Sequence, residues 1–271
     1  MDDIEAAHRR WLARRQAELA GPESWLGLIG LFWLEPGDQA VGSGDDCPVR
    51  LPTGPQHLGC LRVEDGAAIW MPAAPNGTEV EGGHPDAAGG WHLASDHDGN
   101  PSRVVAGDLL FTIIARDGRL GVRLRDRNWA ARRRFDHIPC FAFAAEWRIV
   151  ARWQPLAPPL AMEVPNVSGA LRTVTVEHQA VFTVDGQTVR LLPMAVDDQE
   201  IFFVFRDRSS GRETYGGGRF LKARPAVDGY VTLDFNRAFN PPCALTAFAT
   251  CPLPPPENWL PFAVPAGERK P

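Results

Sequence analysis

The chain has 271 residues and a formal net charge of −5, and 44% of its residues are hydrophobic. Such a chain can bury a large core without disulfides or metals, and its composition argues against wholesale disorder. The acidic balance gives no general attraction to nucleic acid, and no apolar run approaches the length of a transmembrane helix, so we expect neither a nucleic-acid nor a membrane partner.

Residues 1–22 are predicted to form a helix, because their apolar side chains can share one broad face and Gly21-Pro22 is a stop signal. The charged start lacks the apolar core of a secretory signal. The five cysteines are an odd number with no C-x-x-C pair, which favours reduced thiols. We therefore expect a cytoplasmic protein. We also consider a homodimer, since a second copy of the chain could bury the apolar surface of the helix and of residues 25–34.

Asp-Gly dipeptides punctuate the rest of the chain. Five are present, and Asp-Gly favours the positive φ angles of a tight hairpin turn. Three of them, at 65–66, 117–118 and 185–186, are flanked by strand-like runs. No helical pattern separates the predicted strands. We therefore predict a mostly β protein, an antiparallel barrel or sandwich of hairpins with an N-terminal helical extension.

The predicted organisation is one β-rich domain over residues 1–271. In this interpretation, residues 23–271 form a β-barrel-like body, and its proline-rich C-terminal segment is a clasp that ties the tail to the barrel. No internal repeat or linker interrupts it. The weakest strand signal lies in residues 73–102, where clustered glycine, proline and aspartate predict long loops.

The final third of the chain contains three segments that are dense in polar residues, glycine or proline, namely FRDRSSGRETYGGGRFL, LDFNRAFNPPC and TCPLPPPENWLP. Together with the upstream motifs WLGLIGLFWLEPG and IIARDGRLGVRLRD, they resemble a family of bacterial proteins known as domain of unknown function 1684. The resemblance runs over nearly the whole chain. It implies no activity and no catalytic residue, because the family has no established activity, so the chemistry must be inferred from the residues themselves.

In the first segment, Asp207 can form a bidentate ion pair with Arg212 or Arg219. Three consecutive glycines, 216–218, allow close backbone approach or positive φ angles. One interpretation is a polar loop whose amides and Arg219 hold an anion. The alternative is a structural turn that is locked by the Asp–Arg pair.

In the second segment, strand alternation places Thr232, Asp234 and Asn236 on one face. Asp234 and Asn236, together with Arg237, could then converge on a polar interior.

The turn at Asn240-Pro241-Pro242 would fix Cys243 in position. As a nucleophile, Cys243 would need a lowered pKa and a base, for which His137 and His178 are candidates. The alternative is that Cys243 is a small core residue, and Cys251 is the weaker candidate nucleophile.

Glu257 follows the polyproline stretch of the third segment and is a candidate general acid or base. It could form a carboxylate pair with Asp234 or Asp207. The alternative is that this segment makes hydrogen bonds that tie the tail to the barrel.

Two further clusters are weighed and set aside. The arginines of GVRLRDR lie on one strand face, which is either solvated or anion-binding, and the lack of interleaved aromatics argues against nucleic acid. His84, His92 and His97 have spacings that match no standard zinc pattern. We therefore predict no metal site, and no cofactor is indicated.

These residues predict a protein that binds a small polar or anionic molecule, with hydrolase-like acid–base chemistry as a further expectation. The sequence does not decide whether it is an enzyme. The candidate catalytic residues are Asp234, Cys243 and Glu257, and the candidate ligand-binding residues are Asp207, Tyr215, Arg219, Asn236, Arg237 and Asn240. The alternative is a non-catalytic ligand carrier or interaction module whose C-terminal motifs are a structural clasp.

Overall fold

A computed structural model describes residues 2–74, 77–132, 135–167, 169 and 171–271. The fold is mostly β, with antiparallel sheets that include a half-barrel and with an N-terminal helix, as the sequence predicts. In the described part of the chain, no helix has the length and apolar character needed to cross a bilayer.

Two compact units make up the chain. Residues 20–135 form one, here called the sandwich unit, and residues 1–19 with 136–271 form the other, here called the C-terminal unit. The expectation of one domain stays a prediction, because the compactness of a part does not show that it folds alone.

Helix α1 spans Asp2–Ala20 and ends next to the predicted stop signal. The sandwich unit then contributes the strands β1 Leu28–Trp33, β2 Gly37–Gly42, β3 Val49–Arg50, β4 Gly59–Glu64, β5 Ala67–Pro72, β6 Glu79–Glu81, β7 His84–Pro85, β8 Trp91–Leu93, β9 Arg103–Ala106, β10 Leu109–Arg116 and β11 Arg119–Asp126, and the short helix α2 Trp129–Arg132.

Two sheets enclose the core of the sandwich unit. The strand orders are β3-β2-β4-β5-β8-β7 and β1-β11-β10-β9-β6. Leu61 and Trp70 of the first sheet share one buried cluster with Phe111 and Val122 of the second. Because the rings of Trp70 and Phe111 meet edge to face at 5.2 Å, the two sheets are joined by direct aromatic contact.

The expectation of long loops over residues 73–102 is wrong for the described residues. Strand β6 pairs with β9, and β8 pairs with both β5 and β7. Strands β6, β7 and β8 have only two or three residues each. A segment that short cannot display the alternation by which a strand is recognised in a sequence.

The C-terminal unit contains the longest strands of the chain. Its strands are β12 Arg148–Pro165, β13 Leu171–Val184, β14 Gln187–Leu191, β15 Ala195–Val196, β16 Ile201–Phe205, β17 Arg219–Ala223 and β18 Tyr230–Asp234. They form sheets of order β14-β13-β12-β18 and β15-β16-β17. Phe182 of the first sheet and Phe205 of the second share one buried cluster with Phe235, which follows β18.

Asp-Gly dipeptides make the tight turns that the sequence predicts. Asp65, Asp117 and Asp185 have φ angles of 49°, 51° and 48°, and each starts a two-residue turn between paired strands. The dipeptide at 98–99 differs, because Asp98 closes a capping box with Ser95 in a short 3-10 helix. The three predicted hairpins are confirmed.

We expect Gly118→Ala to lower the free energy of unfolding by about 1–2 kcal/mol, because at a φ of 75° the Cβ of an L residue crowds the carbonyl oxygen that follows it. Asp117→Asn is the control and should change it by less than about 0.5 kcal/mol, since asparagine also tolerates positive φ. Urea unfolding followed by tryptophan fluorescence measures both. An unchanged midpoint for Gly118→Ala would contradict the turn geometry.

Candidate functional site

Arg219 is completely buried, although it carries a charge. One terminal nitrogen, Nη2, lies 2.8 Å from Oδ2 of Asp207 and also donates to the carbonyl of Val264 at 2.9 Å. The other, Nη1, donates to the carbonyl of Ala266. The ring of Phe205 lies 5.3 Å from the guanidinium carbon. Arg219 therefore ties the C-terminal tail to the core.

Asp207 uses both of its carboxylate oxygens inside the protein. While Oδ2 contacts Arg219, Oδ1 accepts a hydrogen bond from the Ser209 backbone N–H at 2.6 Å and another from the Ser209 hydroxyl. The ion pair predicted for Asp207 is confirmed, with Arg219 and not Arg212 as the partner, and it uses one guanidinium nitrogen where a bidentate pair was expected. This arrangement agrees with the alternative interpretation of the segment, a structural turn that is locked by the Asp–Arg pair.

Asn240 belongs to a second buried network that fixes the same tail. Its backbone N–H donates to Oε2 of Glu268 at 2.6 Å, and its side-chain amide donates to the carbonyl of Arg269 at 2.7 Å. Arg15 of helix α1 completes the network with a 2.9 Å ion pair to Oε1 of Glu268. Asn240 and Glu268 are both buried, so this network anchors the tail and the helix.

Asn236 does not continue the face of β18 on which it was predicted. The strand ends at Asp234, and residues 235–237 form a short 3-10 helix. Asn236 is buried and makes two hydrogen bonds of 2.9 Å with the backbone of Ala144. Its amide also donates to Oδ1 of Asp234 at 3.1 Å, so Asn236 orients that carboxylate.

Asp234 and Arg237 are the two predicted residues that line an open groove of the C-terminal unit. This groove, here called the cationic groove, has a volume of about 660 Å³. Nε of Arg237 lies 3.3 Å from Oδ2 of Asp234. Asp234 and Arg237, both predicted from the sequence, therefore form an ion pair at the wall of a solvent-accessible groove.

Strand pairing explains how the groove forms. In the register of β12 with β18, Arg148 lies opposite Asp234 and Arg152 lies opposite Tyr230 on the outer face. The alternating positions, such as Leu233, are buried in the core. The predicted alternation of β18 is therefore confirmed as far as Asp234.

The groove carries an excess of positive charge. Among the described residues, the groove is lined by four basic side chains, Arg148, Lys222, Arg224 and Arg237, and by two carboxylates, Asp3 and Asp234.

Lys222 and Arg237 each have a carboxylate within 4 Å, at 2.9 Å on Glu200 and 3.3 Å on Asp234. Among the described residues, no carboxylate forms an ion pair with Arg148 or Arg224, and both side chains are exposed. The groove therefore presents two arginines that form no ion pair with a carboxylate of the described residues.

Apolar surface lies beside these charges. Ile4, Val227 and Tyr230 line the groove and remain 40%, 69% and 50% exposed. Exposed apolar side chains that cluster at a concave surface mark binding sites more often than single exposed residues do.

Cys243 lies apart from the groove, in a short 3-10 helix. Its backbone N–H donates to Sγ of Cys251 at 3.2 Å, and the Tyr215 hydroxyl donates to its carbonyl at 3.2 Å. Hydrogen bonding to the Cys251 and Tyr215 side chains lowers the pKa of Cys243 to about 7, while burial raises the pKa of Tyr215 to about 12. The candidate base His178 instead stacks on Trp153 at 5.4 Å.

Glu257 lines a different recess, of about 490 Å³, beside Arg190 and Trp259. Asp234 does not line this recess, and Asp207 is paired with Arg219. The structure therefore brings neither of the two predicted carboxylate pairs into one recess.

Arg148, Arg224 and Tyr230 were not predicted from the sequence. Arg148 begins strand β12, and its alternation with the buried positions was available in the sequence as a signal. The pairing of that strand with β18, some eighty residues later in the chain, could not be read from the sequence. Only this pairing places Arg148 beside Asp234.

A family model described as "Protein of unknown function (DUF1684)" matches residues 133–269. The chain belongs to this family. The DUF1684 range includes Asp207, Arg219 and the strand residues of the cationic groove, but not helix α1. The three C-terminal motifs fall inside it, whereas WLGLIGLFWLEPG and IIARDGRLGVRLRD lie outside.

The solution NMR structure of an uncharacterized protein of Haloarcula marismortui is 33% identical to this DUF1684 chain, with a TM-score of 0.41. The match covers 50% of this chain and 77% of that one. None of the curated proteins matches the sequence.

We expect Arg219→Met to lower the free energy of unfolding by about 3–5 kcal/mol, because it leaves the Asp207 carboxylate and the tail carbonyls buried without their partner. The double variant Arg219→Met with Asp207→Asn should lose less free energy of unfolding than the sum of the losses in the two single variants, since the residues act as a pair. Lys222→Ala removes an exposed ion pair of the same unit and should cost less than about 1 kcal/mol. Equal losses for Arg219→Met and Lys222→Ala in chemical denaturation would refute the clasp.

Cys243 should be alkylated selectively by iodoacetamide, with a rate that rises between about pH 6 and 8, because the thiolate is the reactive form. Cys140 is the internal control, since burial raises its pKa to about 11 and keeps it a thiol over this range. Peptide mass spectrometry of the alkylated protein measures both rates. Similar rates at pH 7 would exclude an activated Cys243.

Proposed function

We propose that this DUF1684 protein binds a small organic anion in the cationic groove. The ligand would carry a carboxylate or phosphate group on an apolar body. The proposal keeps the ligand class expected from the sequence and changes the residues that recognise it, because Arg219, Asp207 and Asn240 are used within the protein.

The observation that carries the proposal is the pair of exposed arginines, Arg148 and Arg224, that line one groove without a carboxylate partner among the described residues. A planar guanidinium recognises carboxylate or phosphate through two parallel hydrogen bonds. Because the chain as a whole has a net charge of −5, a groove of positive charge is a local feature that favours anions at this place.

The apolar side chains of the groove support a ligand with an apolar body. Ile4, Val227 and Tyr230 supply this surface, and the Tyr230 ring offers a face for stacking. Asp234 supplies a hydrogen-bond acceptor at the same place, held by Asn236 and Arg237. A ligand hydroxyl or amino group would suit it, and acid–base chemistry at Asp234 stays a prediction from the sequence.

The cysteines support a reducing compartment. All five, Cys47, Cys60, Cys140, Cys243 and Cys251, are free thiols. Since free thiols persist where glutathione and thioredoxin keep them reduced, we include a cytoplasmic location in the proposal.

Phenyl phosphate and benzoate are suitable probes, with benzyl alcohol as the uncharged analogue. We expect calorimetric titration to show binding of the anions but not of the alcohol. Arg148→Ala and Arg224→Ala should each weaken binding about tenfold, because a hydrogen bond to a charged group contributes about 1.5–3 kcal/mol.

Arg172→Ala is the matched control, since Arg172 is an exposed arginine of the same unit that does not line the groove. Binding that survives both groove substitutions would overturn the proposal. Loss of binding in Arg206→Ala instead would place the anion at a separate recess, lined by Arg206, Arg208 and Arg212, which also contradicts the proposal.

A further inference from the structure

We propose that Asp46, Cys47 and His57 form a binding site for a transition-metal ion, with Zn²⁺ as the best fit. The three residues belong to the sandwich unit and lie outside the groove. The sequence predicts no metal site, since the histidines at 84–97 match no standard zinc pattern. An Asp-Cys pair whose cysteine is ten positions before a histidine matches none either.

The ligand atoms already lie close to the positions that one ion requires. One atom from each residue lies within 4.8 Å of the other two. Oδ2 of Asp46 is 2.9 Å from Nε2 of His57, and Sγ of Cys47 is 4.0 Å from Oδ1 of Asp46. Tetrahedral zinc, with bonds of about 2.0–2.3 Å, separates its ligands by roughly 3.3–3.8 Å. Small side-chain shifts therefore suffice.

Backbone hydrogen bonds hold together the two segments that carry the ligands, residues 43–47 and 55–57. The N–H of Ser43 donates to the carbonyl of Pro55 at 2.9 Å, and the N–H of Gly44 donates to that of Gln56 at 3.0 Å. At Gly42, a Cβ atom would lie only 2.0 Å from the Gln56 carbonyl oxygen. Glycine is therefore required for this close approach, which brings His57 to the Asp46-Cys47 side.

The donor set favours a borderline ion. Nitrogen, sulfur and carboxylate oxygen are the ligands that Zn²⁺ takes, whereas Mg²⁺ and Ca²⁺ prefer oxygen alone. Three protein ligands leave one position of a tetrahedral ion for water. The side chains of Asp46 and His57 are 69% and 52% exposed, so an ion can reach the site from solvent, while Cys47 is buried behind them.

The first test is titration of the full chain, purified without a histidine tag, with Zn²⁺ in competition with a chromogenic chelator. We expect one ion per chain. His57→Ala should weaken binding by about 100-fold or more, since loss of an outer-shell partner alone costs about 10–100-fold. His97→Ala removes an exposed histidine of the same unit and should leave the affinity unchanged.

The second test identifies the sulfur ligand with Co²⁺. The wild-type chain should show the near-ultraviolet charge-transfer band of a Co²⁺ thiolate, Cys47→Ser should lack it, and Cys60→Ser should retain it. If Cys47→Ser fails to fold, Asp46→Asn and His57→Ala at exposed positions keep the test decisive. Absence of stoichiometric binding, or equal affinity of His57→Ala and the wild type, would overturn the proposal.

Discussion

A buried positive charge constrains the C-terminal unit. Arg219 lies in an apolar core, where an unpaired guanidinium would be strongly destabilising. Asp207 neutralises it, and the carbonyls of Val264, Ala266 and Glu268 accept hydrogen bonds from its two terminal nitrogens. The tail is therefore a part of the core, because the core charge is satisfied only when the tail is in place. Much of the polar density in the last third of the sequence serves this anchoring.

The same strands that bury Arg219 display the cationic groove. Strand β17 begins with Arg219 in the core and carries Lys222 near its end, on the exposed side. Strand β18 likewise alternates between Leu233 in the core and Asp234 at the groove. Since alternation couples the two faces, fixing one face in the core fixes where the charges of the other face point.

Local patterns were predictable from the sequence, and distant pairings were not. The Asp-Gly turns depend on two residues, and the Asp207–Arg219 pair spans twelve positions. The groove depends on the pairing of β12 with β18, which no local pattern specifies. Asn236 shows the limit of periodicity, because the strand ends before it and a 3-10 helix turns its side chain toward Ala144.

The ion pair between Arg15 and Glu268 joins the first and last parts of the C-terminal unit, while the sandwich unit occupies the continuous stretch between them. During synthesis on the ribosome, residues 20–135 emerge as an uninterrupted block that can collapse early. Helix α1 must wait, since its partner Glu268 lies 253 residues beyond Arg15 in the chain. The order of translation therefore delays completion of the C-terminal unit until its tail has been made.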